Sequence, residues 1–440
     1  MAVPSVNAAP PPDSFYDAPP GFETATPGTI LRSRAVTVNA LQAFPIRVQA
    51  WQLQYRTTDF HGAPYTAVTT VMIPEGPAKP RPLLSYQVAI DSVTHACAPS
   101  YSLQDGKLAD FTDPTGPVTA GTASVEIVAA AAALARGWAL AVPDHGGADN
   151  RFFTPREPGY VVLDGIRAAE QFAPLGLAGV NTPVGMFGYS GGGIASTWAA
   201  EMQPSYAPEL DIAGIAAGAP VPDLIAALKS VSGRLTGGLI PAAFAAMGKD
   251  SPAFADRLDG YLTPEGRAAV TDAAPRCVAQ SVLSRPWLDI QKYLTVPLDQ
   301  VIADPVIHAT MVERNRGTAA PTAPMYLYDG VTEEVSPIAG VDALAGFYCS
   351  HGTPVTYRRD EFPDIPVIGT THGTLAVLGL PGAFAWLDQQ LAGTAPRPAG
   401  CDIRTVSSTL LEPGALSALG PDFVVTPLLT LLGLPIGSGH

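Results

Sequence analysis

Polar and apolar positions alternate with a period of two over residues 47–55 and 65–73, so each stretch reads as a half-buried strand. Residues 82–90 (PLLSYQVAI) are almost continuously apolar, the pattern of a parallel strand covered on both faces. A helical stretch follows at 124–136 and stops at Gly137, a residue suited to a helix C-terminus. Short apolar strands are predicted at 138–143, 184–187 and 212–217, with helices at 161–172 and 194–202. In the first of these helices Leu163, Ile166, Ala169 and Phe172 share one face. This alternation predicts the α/β class, with a mostly parallel sheet and helices on both faces.

The rhythm breaks between residues 223 and 315. That stretch offers several helical patterns and no convincing strand, so it reads as a helical insertion. Beyond it the alternation resumes, with strands at 324–328 and 354–358 and helices at 338–349 and 374–390. Residues 1–21 are rich in Pro, Ala and Ser and read as a flexible arm. The tail from Cys401 is rich in Leu and Pro and is expected to pack across the surface. The organisation expected is therefore an arm (1–21), a core in two pieces (22–222 and 316–440) and an inserted helical segment (223–315).

Composition narrows the function classes. Apolar residues form 47% of the 440 and charged ones 15%, which places the chain among globular proteins. No apolar run approaches the ~20 residues needed to cross a bilayer, so stable membrane insertion is not expected. Acids outnumber bases 39 to 25, a net charge of −14 that repels phosphate backbones and anionic membranes. Nucleic acid is not an expected partner. Four cysteines, Cys97, Cys277, Cys349 and Cys401, form no CxxC pair, and their even number suits two disulfides and an oxidising compartment. Four reduced thiols in a cytosolic enzyme are the alternative. The opening MAVPSVNAAPPPDS lacks a charged segment followed by an apolar one, so either a leader has been removed or the protein is not exported.

The chemistry centres on Gly188-Tyr189-Ser190-Gly191-Gly192, a G-x-S-x-G between a predicted strand and a helix of small residues. A nucleophile in such a bend has strained backbone, and side chains two residues away would collide with neighbouring backbone, hence the flanking glycines. A serine hydroxyl needs an imidazole to take its proton. In open α/β sheets the site lies at the carboxyl ends of the strands, and α/β-hydrolases run serine, acid, histidine along the chain. His61, His95 and His145 precede the serine, His308 lies in the insertion, His351 precedes a strand, and His440 is terminal. His372, expected in a loop just before the helix at 374–390, satisfies both order and edge. The acid should follow the strand at 324–328. Glu333 is preferred, with Glu334, Asp329 and Asp364 as alternatives and solvated loop carboxylates as the bland reading.

These residues and their surroundings resemble the secretory lipase family of the α/β-hydrolase superfamily. The resemblance runs through SYQVAIDSVTHACAPSY, LDGIRA, GYSGGGIASTWAAEMQPSYAPEL and the TEEVSP and TTHGTLA loops. It implies an α/β-hydrolase core with a large helical lid, matching the insertion at 223–315. It implies Ser190 and His372 in a triad whose acid is an aspartate in the family, where this chain has Glu333. The implied oxyanion donors are the backbone N–H groups of Asp91 and Gly191. A charged Asp91 side chain would oppose the oxyanion, so it is expected to be protonated or held aside by hydrogen bonds. The implied disulfides are Cys97–Cys277 and Cys349–Cys401, which strengthen the expectation of export.

The expected activity is ester hydrolysis through an acyl-enzyme, without metal or organic cofactor, and lipid esters such as triacylglycerol are the first substrate to consider. Contact with a lipid interface fits that reading. A short-chain carboxylesterase, polyester hydrolase, peptidase or acyltransferase could use the same triad, because fold does not choose the acyl acceptor. A non-catalytic binding protein is the rival suggested by glutamate at the acid position.

Overall fold

The computed structural model describes residues 13–76, 79–104, 121–362, 370–394 and 400–437. Ten strands form one sheet: β1 (Ile30–Ala35), β2 (Val48–Thr58), β3 (Pro64–Pro74), β4 (Leu83–Gln87), β5 (Ala139–Pro143), β6 (Val184–Tyr189), β7 (Ile212–Gly218), β8 (Met325–Gly330), β9 (Val355–Asp360) and β10 (Asp402–Val406). Their spatial order is β1-β2-β3-β5-β4-β6-β7-β8-β9-β10. β1, β2 and β3 pair antiparallel, as does β3 with β5; every pair from β5 to β10 is parallel.

The parallel strands are apolar on both faces because helices cover both. On β6, Val184 and Met186 belong to one core while Phe187 and Tyr189 belong to the other. On β8, Met325 and Leu327 likewise face one side, and Tyr326 and Tyr328 the other. The first core also contains Leu163, Ile166 and Ala169 from the helix Glu157–Gln171, the face that the spacing predicted. Between Leu224 and Val312 lie seven α-helices, and residues from this segment such as Leu228, Phe244 and Met311 join the same core.

Two strands of this sheet, and a separate short pair at Asn39–Ala40 and Phe44–Pro45, are not marked in the sequence pattern. β1 and β10 are the outermost strands, and their burial is patchy, with three consecutive exposed residues in β10. An edge strand carries charged and polar residues on exposed positions, so its hydrophobic pattern fades. The tail after Cys401 therefore extends the sheet before it crosses the surface, where helix Thr426–Leu431 packs on helix Ala123–Ala135. The helix expected at 374–390 is two helices, Thr371–Leu378 and Leu380–Leu391. Gly379 lies at the break, where a Cβ would stand 2.2 Å from the Tyr328 ring. Pro381, in the first turn of the second helix, has no N–H to continue the ladder of the first.

Both expected disulfides are present. Cys97–Cys277 joins the segment after β4 to the start of the helix Val278–Ser284 in the inserted segment, with Cα atoms 5.5 Å apart. Cys349–Cys401 joins the helix Ile338–Ser350 to the start of β10, with Cα atoms 6.0 Å apart. The bridges span 180 and 52 residues, so each removes a large share of unfolded-chain freedom. Replacing either pair by serine is expected to cost about 2–4 kcal/mol in denaturant unfolding. Thiol titration of the denatured, unreduced protein should find no free cysteine.

Candidate active site

The bend after β6 is built by close backbone contacts. Ser190 has φ 55° and ψ −121°, outside the ordinary regions for a residue with a side chain. Its N–H donates to Gly218 O on β7 (3.0 Å), and its carbonyl accepts from Ile194 N (2.9 Å) as the helix Gly191–Tyr206 begins. A Cβ on Gly188 would stand 2.1 Å from Gly192 O, and one on Gly192 would stand 1.9 Å from Gln87 O. These distances forbid side chains at both positions. The motif's glycines are spacers that let strand, turn and helix close on one another.

His372 Nε2 lies 2.8 Å from Ser190 Oγ, and His372 Nδ1 lies 3.0 Å from Glu333 Oε1. The carboxylate selects the tautomer with a proton on Nδ1, which leaves Nε2 to accept from the serine hydroxyl. His372 is in the first turn of helix Thr371–Leu378 rather than in the loop expected for it. Thr370 Oγ1 accepts from Gly373 N (2.8 Å) and starts the helix two residues before the histidine. Tyr189 OH donates to His372 O (2.7 Å), so the residue before the serine also anchors the imidazole's backbone.

Glu333 stands in the turn after β8. Its N–H donates to Gly330 O (3.1 Å), and its Oε1 accepts from Val335 N (2.7 Å). The neighbouring carboxylates have other positions. Glu334 Oε2 accepts from the backbone N–H of His372 at 3.4 Å. Asp329 is fully buried, and its Oδ1 accepts from Gly330 N (3.0 Å). Burial first, and then the charge of Glu333, raise its carboxyl well above the usual range. Asp364 lies outside the described residues.

Burial, the largest single influence on His372, disfavours the imidazolium. The charge and hydrogen bond of Glu333, with the charges of Glu334 and Asp91, outweigh it and hold the imidazole above its ordinary value.

Asp91 follows β4 at φ 42°, and its side chain lies beside Gly191, where a Cβ would stand 1.7 Å from Asp91 Oδ1. That Oδ1 is buried and has no hydrogen-bond partner among the described residues. Burial pushes the carboxyl up to about 7, against the opposing charge of His372. Of the two expectations for this side chain, protonation is therefore the one supported below neutral pH.

Three residues that support the Asp91 segment gave no recognisable signal in the sequence. His145 Nε2 bonds Val88 O at 2.8 Å, and burial pushes this imidazole down to about 4, which keeps it neutral. Glu126 Oε1 accepts from Ala89 N (3.0 Å), and Asn150 Nδ2 donates to Ser92 O (3.1 Å) and Thr94 O (2.7 Å). None of the three belongs to a recognisable motif, and each is distinguished from an ordinary polar residue only by the backbone group it meets in the fold.

A narrow cavity runs from Ser190, Asp91 and Gly191 into the inserted helices, lined by Leu228, Ala243, Phe244 and Met247 among others. Its wall is almost entirely apolar.

The secretory lipase profile matches residues 115–398. Among curated relatives, a probable inactive lipase of Mycobacterium tuberculosis is 38% identical over 383 residues, covering 87% of this chain and 82% of that one. Lipase A of Arthroderma benhamiae is 36% identical over 431 residues, covering 97% and 88%. In fold the chain is similar to the crystal structure of Candida antarctica lipase A in its closed state. There the TM-score is 0.80 and the identity 24%, over 98% of this chain and 99% of that one.

The glycine contacts predict an asymmetric outcome. Gly192→Ala drives a methyl into Gln87 O and should cost about 3–5 kcal/mol or prevent folding. Gly346→Ala, at an open position in the helix Ile338–Ser350, should instead stabilise by about 0.5–1 kcal/mol. Paired denaturant melts check both.

Proposed function

The chain belongs to the secretory lipase family and is a carboxylic ester hydrolase; from that premise we propose that Ser190, His372 and Glu333 perform the hydrolysis through an acyl-enzyme. The observation that carries this reading is the hydrogen-bonded chain from Ser190 Oγ to His372 Nε2 (2.8 Å) and from His372 Nδ1 to Glu333 Oε1 (3.0 Å). As Ser190 attacks the ester carbonyl, His372 takes its proton and Glu333 stabilises the resulting imidazolium. The N–H groups of Asp91 and Gly191 receive the developing oxyanion. The alkoxide leaves with the proton returned by His372, and water then releases the acid by the same steps in reverse order.

The apolar cavity beneath the inserted helices takes the acyl chain, which supports medium or long acyl groups as in triacylglycerol. In this reading, residues 223–315 act as a cap over the acyl site. Several aliphatic side chains of the C-terminal tail are exposed, Leu428 and Leu432 among them, and they support contact with a lipid interface. The two disulfides favour work outside the cytoplasm.

One curated relative is described as probably inactive. In this chain serine, imidazole and carboxylate all stand within hydrogen-bond reach, which favours a working enzyme. A fluorophosphonate should therefore label the folded protein at one serine and fail to label Ser190→Ala, whose kcat should drop ~10⁴-fold or more. An unlabelled native protein would defeat the proposal. Chain-length profiles on p-nitrophenyl esters should favour acyl groups longer than butyrate; a sharp preference for acetate would turn the reading toward a short-chain esterase.

The charge around His372 sets the pH dependence. Because the imidazole is held above its ordinary value, the base form is lost as pH falls through that raised value, and kcat/KM falls with it. Glu333→Gln removes the main raising influence, so the acid limb should move to lower pH while the neutral-pH rate falls ~10³–10⁴-fold. A limb that stays in place would exclude Glu333 as the imidazole's partner.

A further inference from the structure

A hollow of about 300 Å³ shares no lining residue with the cavity at Ser190. Tyr16 and Asp17 line it from the N-terminal segment and Gln54 from β2. His95 and Tyr101 come from the segment after β4, and Asp144 directly follows β5. Asp13 completes the acidic groups of the wall, and among the described residues no lysine or arginine lines it.

Asp13 spends its charge on Arg34, whose Nη1 lies 2.7 Å from Asp13 Oδ2. Among the described residues no salt bridge reaches Asp17 or Asp144. Asp144 is buried, and its carboxyl accepts from Ser100 N (2.8 Å) and Ser100 Oγ. Burial pushes that carboxyl up to about 7, as expected of an acid with no counter-charge. Burial, and then the charge of Lys249, push His95 down, so the imidazole in the wall adds no cation at neutral pH. Gln54 is 1% exposed, and its amide is oriented by Nε2 donating to Tyr16 O (3.1 Å) and Asp17 O (3.1 Å). Its Oε1 is left buried without a hydrogen-bond partner. One water would satisfy that atom, yet the hollow has room for several.

We propose that this hollow binds a small organic cation with N–H donors, a primary ammonium compound such as a short diamine. An ammonium group meets both needs of the wall. Its N–H supplies the donor that Gln54 Oε1 lacks, and its charge stabilises the ionised form of Asp144. A metal ion fits less well, because among the described residues no group of three or more His, Cys, Asp or Glu side chains is placed to hold one. A diamine can set one ammonium at the buried acceptors while the other meets Asp17, which is exposed. The ligand then joins the N-terminal segment, β2 and the segment that follows Asp91, so its binding favours the folded chain.

The test uses 1,4-diaminobutane on the native protein, followed by titration calorimetry and thermal melts. Its controls, at matched ionic strength, are 1,4-butanediol, tetramethylammonium chloride and magnesium chloride. The diamine should bind one site saturably with Kd of about 1 mM or below, and raise Tm by about 1 °C or more at about 10 mM. The controls offer its length without charge, its charge without N–H, and charge on a metal ion, and should do neither. Asp144→Asn keeps the side chain's shape without its charge, and Ala148→Trp fills the hollow from an exposed position. Each should weaken diamine binding about tenfold or more. Asp17→Asn, also at an exposed position, should weaken it about threefold. Circular dichroism identifies which variants are folded, and any folded one suffices. The proposal is overturned if the diamine shows no saturable binding up to about 50 mM, or if any control binds as tightly. It is equally overturned if affinity is unchanged in every folded variant.

Discussion

The site depends on one steric constraint: strand, turn and helix around Ser190 approach so closely that only glycine fits on either side. Ser190 keeps its strained conformation because its N–H is fixed by Gly218 on β7 and its carbonyl by Ile194 in the following helix. Gln87 O on β4 crowds Gly192 from the other flank. Two neighbouring strands thus over-determine a conformation that costs about 1–3 kcal/mol in isolation. Because the bend is fixed by the sheet, every other part of the site is positioned relative to it. Asp91 comes off β4 on one side of β6, and Glu333 follows β8 beyond β7 on the other. His372 reaches the serine from a helix that packs against β8.

Charge is arranged around this bend with some economy. Three carboxyl groups, Asp91, Glu333 and Glu334, act on a single imidazole, and a fourth, Asp329, feels the charge of Glu333. Only Glu333 is bonded to its ring. Burial raises the other three, so the neutral forms of those acids spread the local negative charge less widely. A charged Asp91 would lie beside Gly191 and oppose negative charge on a bound carbonyl; raised to about 7, it is largely neutral in mild acid. The same burial that costs the imidazolium solvation therefore also quiets its competitors.

Legibility in the sequence followed burial. The strands at the centre of the sheet were readable because both faces are covered and their residues are apolar without interruption; β1 and β10 were not, because edge strands show water a mixed surface. The serine was readable from the glycine spacing, since the close approach that demands glycine leaves a motif in the chain. His372 followed from chain order and sheet edge, although its helix begins earlier than its apolar pattern suggested, because the capping Thr370 is polar. Glu333 could be preferred over its neighbours but not separated from them, because three carboxylates within six residues differ only in the direction the turn gives each. The disulfide pairing came from family resemblance and not from spacing. His145 and Asn150 left no pattern at all, since a lone polar residue acquires a role only through the carbonyl it meets in the fold.

Those unannounced contacts tie the inserted helices to the chemistry. The segment after β4 is held to the core by His145, Glu126 and Asn150. It is held to the inserted helices by Cys97–Cys277, by Ser92 Oγ donating to Arg276 O (2.8 Å), and by Lys249 Nζ donating to Val93 O (3.0 Å). Lys249 also donates to Asp149 O. An element stapled so close to Asp91 cannot swing away as a rigid lid without dragging that backbone along. Whatever opens the cavity must therefore move at the far end of the inserted segment, or through side chains along its wall, while the end near Asp91 stays put.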